Sequence, residues 1–509
     1  MERNEEQNAR VQLPFAEKNQ PVELTAEISL PDYRSEISRL LWVRPVLLPP
    51  TRFVGGGKAE FSGPICYHIL YVGPDGALYS ADHEESYAFS LPLESLADFE
   101  SGEGAEISVE MIPDAVVSRV IGPRKLSVRC RLRAQMQGYA VKNLTPRLQG
   151  EGELYRLCRG VENGKVLFGE AERLELGNRI TVEPGEGELR VISTNGNLLL
   201  SRVTAGDGNV HCAGEAVMEF LMVRENGEAS VPFVTECRIP FEKDLTLEGV
   251  TPDVSVRAFG VVGEMQSAVE EDNVSVEATV MLTAEGQTEE SVLLCEDLFS
   301  PGQVADYRFA EERFWRAGPC GNRNFTVSGE KSLAEIGLAT DAERIFLVCD
   351  GEIREKRAEG DKTLIAGDLC CHLLYRRGGE YAICDFSIPF RTFLEGAWDR
   401  VSLSCNLPVC RITPVRDGES LRVDAEVYLS LRSSKQEPNA VLAEARFTPG
   451  EKRETADMEI CYPAPGETLW NVSKRYGVAP VAVANANALS AEAPGAASSL
   501  DGVRYLLIP

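Results

Sequence analysis

A nine-residue pattern written three times at nearly constant spacing is the strongest constraint on how this chain can fold. Gly63-Pro-Ile-Cys-Tyr-His-Ile-Leu-Tyr71 recurs as Gly214-Glu-Ala-Val-Met-Glu-Phe-Leu-Met222 and as Gly367-Asp-Leu-Cys-Cys-His-Leu-Leu-Tyr375. The three glycines lie 151 and 153 residues apart. A Gly-bearing turn follows each copy: Gly73-Pro74-Asp75-Gly76, Glu225-Asn226-Gly227 and Gly378-Gly379. An apolar-Pro-apolar step comes next, as Leu91-Pro92-Leu93, Ile239-Pro240-Phe241 and Ile388-Pro389-Phe390. Some 32 to 34 residues later each copy reaches an alternating segment starting at Leu126, Val274 or Leu421. Self-similarity in one order at one period implies tandem copies of one supersecondary unit.

The texture inside each copy is that of strands. Apolar and polar residues alternate with period two, β-branched residues are frequent, and Gly, Asp, Asn and Pro punctuate the runs. Alternation suits a strand half-buried in a sandwich, because successive side chains face opposite sides. The fold expected is mainly β: three tandem sandwich- or barrel-like repeats plus a small C-terminal βααβ module. The expected boundaries are a polar N-terminal tail (1–19), three β units (20–150, 151–295, 296–445), a linker (446–457) and the module (458–509). The Pro of each apolar-Pro-apolar step should sit at a strand start or on a sheet edge.

Within 458–509, Thr468 is placed to cap a first helix, its hydroxyl available to an unpaired amide of the first turn. Leu469, Val472 and Tyr476 then share one helix face, and Gly477 ends it. Pro480 suits the first turn of a second helix. Met458–Tyr462 and Tyr505–Ile508 are short apolar ends that can pair as strands. Trp470 points about 100° away from the buried stripe, on an exposed flank. It is either half-packed against its own module or a partner contact.

A net charge of −27 argues against sequence-independent nucleic-acid binding, since such a surface repels phosphates. Four acids and three bases lie from Met458 onward, so nearly all of that charge belongs to the β units. No apolar run reaches the roughly 18–20 residues of a membrane span. The first twenty residues are polar, without a secretory apolar region, so a cytoplasmic location is expected. The fourteen cysteines are scattered, with no C-x-x-C, and are expected to be reduced, buried thiols.

No catalytic arrangement stands out. Gly55-Gly56-Gly57-Lys58 lacks the frame of a phosphate loop and reads as a hairpin turn, matched by 205–209 and 358–362 in the other copies. Cys66 and His68 share a strand face, as do Cys370 and His372. The second copy has Val217 and Glu219 there, so a packed strand face is expected rather than a metal site. No H-E-x-x-H or G-x-S-x-G occurs. The expectation is a binding protein without enzymatic activity, metal or cofactor.

Two resemblances sharpen this. Glu23–Asp32 running into Glu36–Val43, followed by the Gly-rich turn, the Gly63 strand and the apolar-Pro-apolar step, resembles the SPOCS module of spore coat morphogenetic proteins. The C-terminal stretch resembles LysM: Pro465-Gly466-Glu467-Thr468-Leu469-Trp470, helix, Tyr476-Gly477-Val478, helix, Asn487-Ala488-Leu489 and a closing Leu506-Leu507-Ile508-Pro509. Those first six residues with Asn487, Ala488 and Leu489 are the ligand- or partner-binding residues the resemblance implies. Glu467 replaces the commoner Asp, and Ser490–Ser499 lengthens one wall of the groove that holds sugar in glycan-binding LysM modules. Three such units before one LysM module resemble the layout of SipL-type spore coat morphogenetic proteins, counterparts of SpoVID. That layout implies a non-enzymatic structural adaptor of endospore coat assembly, in the mother-cell cytoplasm at the forespore surface. Its LysM module would engage a coat-basement ATPase of the SpoIVA type, and its β units other coat proteins. The alternative is a peptidoglycan-binding envelope or cortex protein, for which LysM takes glycan.

Overall fold

The computed structural model describes residues 9–55, 57–93, 105–150, 152–226, 229–450, 458–489 and 499–509. It is mainly β, and one order of strand pairing occurs three times along the chain. In the first third, Lys58–Val72 lies between Leu78–Pro92 on one side and Arg39–Leu47 with Thr51–Gly55 on the other. In the second, Asn209–Asn226 lies between Glu188–Ala205 and Ala229–Thr246, and in the third Lys362–Arg377 lies between Glu343–Glu359 and Glu380–Glu395. Each of these meander sheets faces a second sheet. Its central strand is Lys125–Asn143, Asn273–Phe299 or Ser420–Pro449. That strand pairs with the one just before it in sequence and with the strand that opens the unit.

Alternation explains why these strands bury one face. In Lys125–Asn143, Leu126, Val128, Cys130, Leu132, Ala134 and Met136 are buried, while Arg129 and Arg131 between them point outward. Three apolar cores result, each drawing residues from both sheets of one sandwich. Full burial of such aliphatic side chains is worth about 1.5–3 kcal/mol each.

The repeated glycine has a packing reason. Gly214 pairs with Leu200 beside a bulge between Leu200 and Arg202. Gly367 pairs with Ile353 beside a bulge between Ile353 and Glu355. A Cβ on Gly214 would lie 2.1 Å from the Leu199 carbonyl oxygen, and one on Gly367 would lie 2.2 Å from that of Glu352. Glycine inside a strand commonly marks such a close backbone approach. A second bulge falls at one place in all three meanders: Leu40/Trp42, Val191/Ser193 and Arg344/Phe346.

Three sequence expectations need correction. Pro240 and Pro389 occupy equivalent edge-strand positions, opposite Glu215 and Asp368. Pro92 instead pairs with Lys58, and the residue facing Pro64 at the equivalent position is Ser86. Leu91-Pro92-Leu93 is therefore not the counterpart of the other two steps. The stretch expected as a polar tail contains the strand Arg10–Ser29, which buries Val11, Leu13 and Phe15. The last strand of the third unit, Ser420–Pro449, runs four residues into the expected linker. Residues 1–8, 56, 94–104, 151, 227–228, 451–457 and 490–498 lie outside the described residues.

The three sandwiches pack around a shared axis. Gln137, Glu285 and Arg432 each follow Leu126, Val274 or Leu421 by eleven residues, and they meet. Their register partners Ser108, Arg257 and Ser402 join them. Arg257 donates to Glu285 at 2.6 and 2.9 Å and to the Ser402 carbonyl and hydroxyl at 3.0 Å each. Ser108 donates to Glu285 at 3.1 Å. Further along, Leu70, Leu221 and Leu374, each seven residues past the repeated glycine, share one apolar cluster. Arg44 of the first unit bridges Asn195 of the second and Asp350 of the third, the latter at 2.7 Å.

Beyond the sandwiches the long central strands continue and bury one another. Leu144, Val292, Leu294, Phe314 and Val441 form one such cluster, and Leu298, Leu442 and Ala445 another. The C-terminal module rests against this extension.

Candidate functional site

The module forms as a βααβ unit. Glu459–Cys461 pairs antiparallel with Leu506–Ile508, and two helices, α1 (Leu469–Tyr476) and α2 (Pro480–Ala486), lie between them. The Pro465-Gly466 step makes the turn that starts α1. Gly466 takes φ +76, and the Glu467 amide donates to the Ala464 carbonyl at 3.0 Å. Proline is common at the second position of a type II turn, and glycine at the third supplies the positive φ that the turn requires. Thr468 caps α1 by accepting from the Asn471 amide at 3.2 Å, and Gly477 ends it at φ +68. The inner faces close on Cys461, Leu469, Val472, Val483, Ala484, Leu500, Leu506 and Ile508.

Most of the nine residues singled out in the sequence are occupied in holding this small fold. Glu467 accepts from the Ala464 amide at 2.9 Å and pairs with Arg475 at 2.9 Å. Asn487 clasps the closing strand, accepting from the Leu507 amide at 2.6 Å and donating to its carbonyl at 2.7 Å. Ala488 takes a left-handed φ of 51°, and Leu489 packs against the module core. Leu469 is buried in that core. Pro465 and Gly466 are exposed at the turn tip. The lengthened wall at Ser490–Ser499 falls outside the described residues except for Ser499, which bridges to Thr468.

Trp470 is not on an exposed flank. Only 3% of it is accessible, yet it is not part of the module's own core. Its burial comes from the β body. The indole N–H donates to Asp297 at 2.9 Å, and the ring meets Phe299 edge-on with centroids 5.0 Å apart. Four residues along α1, on the same face, Lys474 donates to both Asp297 oxygens at 2.6 and 2.7 Å. It also lies 5.0 Å over the Tyr307 ring. Burial works against the Lys474 charge, but the Asp297 carboxylate outweighs it and holds the ammonium above its usual range. Sequence reasoning missed Asp297, Phe299 and Lys474. Nothing local connects residues more than 170 positions apart, and only the tertiary docking brings them together.

The outer face of the module carries a different surface. Inner-facing Cys461 and Leu506 alternate with Ile460, which is exposed; Met458, Tyr462, Tyr505 and, on α2, Val481 are also exposed. In the β body, His68, His211 and His372 each pair with an aspartate on the neighbouring strand: Asp82 at 2.7 Å, Asp244 at 2.9 Å and Asp385 at 2.7 Å. Among the described residues no three His, Cys, Asp or Glu side chains converge as a metal site, and no helix is long and apolar enough to cross a membrane. Compared with known families, curated proteins and solved structures, the chain matches none.

Proposed function

We infer that this protein is a non-enzymatic structural adaptor of endospore coat assembly whose C-terminal module binds a protein of the coat basement, an ATPase of the SpoIVA type. The resemblance of the module order to SipL-type proteins motivates the choice of partner. The observation that carries the protein-binding reading is the module's apolar exterior. Ile460, Tyr462 and Tyr505 are 57, 72 and 52% exposed on a unit of about fifty residues. Clustered exposed aromatic and aliphatic side chains mark protein-interaction surfaces more often than chance solvent exposure does. The β body offers the rigid platform an adaptor needs, three sandwiches locked by one buried polar ring.

The test is capture from a sporulating mother-cell lysate by the immobilised full chain and by residues 1–457, with peptidoglycan sacculi pelleted in parallel. The expected result is enrichment of the basement ATPase by the full chain only, with no pelleting. Pelleting with sacculi and no ATPase recovered would favour the envelope or cortex alternative.

A further inference from the structure

We propose that Asp297 is a latch that holds the C-terminal module against the β body and masks Trp470, so that the module has a docked and a released state. This rests on the adaptor reading only for its consequence, since Trp470 belongs to the face expected to meet a partner. The contact is specific. One indole, one ammonium and one aromatic edge converge on the end of a single strand, where Asp297 also accepts from the Leu298 amide at 2.8 Å. Lys474 also lies over the Tyr307 ring, and a Cβ added at Gly477 would come within 3.7 Å of the Pro301 and Gly302 backbone. No strand of the module pairs with a strand of the body among the described residues.

Among the described residues the module's apolar core includes no residue of the body, so docking does not rest on shared core packing. The covalent connection sustains it instead, because a short tether raises the local concentration of one face near the other to about the millimolar range. A contact held that way opens and closes readily. Trp470 and Lys474 are nevertheless well satisfied while docked, so the docked state is the resting one. A partner that needs Trp470 must displace Asp297, and any change that weakens Asp297 releases the module without touching the module's own core.

The test uses the full chain grown with 5-fluorotryptophan. Its four tryptophans give four fluorine resonances, and Trp470→Phe assigns the one of interest. In the wild type the Trp470 resonance should show little H2O/D2O isotope shift. In Asp297→Ala it should gain the shift of a solvent-exposed indole while the other three resonances stay in place. Asp297→Asn, which keeps an acceptor for the indole but loses the charge, should fall between. A Trp470 resonance already exposed in the wild type, or still shielded in Asp297→Ala, overturns the latch. Movement of all four resonances in Asp297→Ala would show a damaged body, and Lys474→Ala then supplies the release from the module side with the same two deciding outcomes. None of these readouts involves the coat ATPase, so failure of the latch and failure of the adaptor reading are distinguishable.

Discussion

Arg432 and Glu285 occupy the same position in successive β units and meet at 3.1 Å on the axis those units share. Each is at most 3% exposed. Burial alone would raise the Glu285 carboxyl, but Arg257 and Arg432 outweigh it and hold it below its ordinary range. The repeat therefore does more than multiply a fold. It delivers three equivalent side chains to one point, and the sequence has differentiated them into Gln137, Glu285 and Arg432 so that they satisfy one another.

Removing one partner from such a buried group leaves the others unpaired, which costs about 3–5 kcal/mol. Glu285→Ala should lower the melting temperature and split a cooperative transition into separate ones for the sandwiches, as read by calorimetry. Because the Glu285 carboxyl is held below the ordinary 4.5, its contribution is present above that value and lost as pH falls through its folded value. The wild type should thus lose stability in acid faster than Glu285→Ala does.

Glu219 behaves in the opposite sense. Burial pushes its carboxyl up to about 6, against a hydrogen bond from Asn195 at 3.1 Å. The fold favours its protonated form, so its contribution is full below pH 4.5 and is lost as pH rises through about 6. Glu219→Gln should stabilise the protein at pH 8 by at most about 2 kcal/mol, since the group is partly solvated. The gain should vanish at pH 4.5. An equal gain at both pH values would show that titration of Glu219 is not its source.

The spacing of the three nine-residue patterns marked three recurring strands, because a glycine at a fixed place and an alternating strand leave periodic marks in sequence. Apolar-Pro-apolar was a weaker guide, since Pro92 fits an edge strand at a different register from Pro240 and Pro389. In the module, Pro465, Gly466, Thr468 and Gly477 were readable because turns and caps are local chemistry. Trp470 was misplaced because helical geometry says which way a side chain leaves its own helix. It says nothing about a distant Asp297 that waits there.

The repeated glycine gives a second mutational test. Gly214→Ala places a Cβ 2.1 Å from the Leu199 backbone oxygen, beside the Leu200/Arg202 bulge. Overpacking of this kind costs roughly 1–3 kcal/mol. Gly76→Ala, at a turn with open space around it, should cost less and only through its left-handed φ of 77°. Denaturant midpoints of the two variants compare them directly.

Thiol chemistry should single out one pair. Cys158 and Cys295 face each other across neighbouring strands, and the Cys295 thiol stabilises the Cys158 thiolate, lowering it to about 7. The second proton of the pair is correspondingly harder to remove. Burial instead pushes Cys66 and Cys212 up to about 12. Iodoacetamide on the native protein should label Cys158 first, with a rate that rises through a midpoint near pH 7. All fourteen cysteines should titrate as thiols once denatured without reductant.

We propose that the C-terminal module joins this β body to another protein. It is tested by the affinity of the purified chain for a purified coat-basement ATPase, by interferometry, for residues 1–509, for 1–457 and for Tyr462→Glu. Loss of an interface hot spot typically costs at least ~2 kcal/mol, or roughly thirtyfold in affinity. Saturable binding by the full chain is expected, weakened at least that much in Tyr462→Glu and abolished in 1–457. Equal binding by 1–457, or binding of the full chain to peptidoglycan sacculi with no affinity for the ATPase, would contradict it.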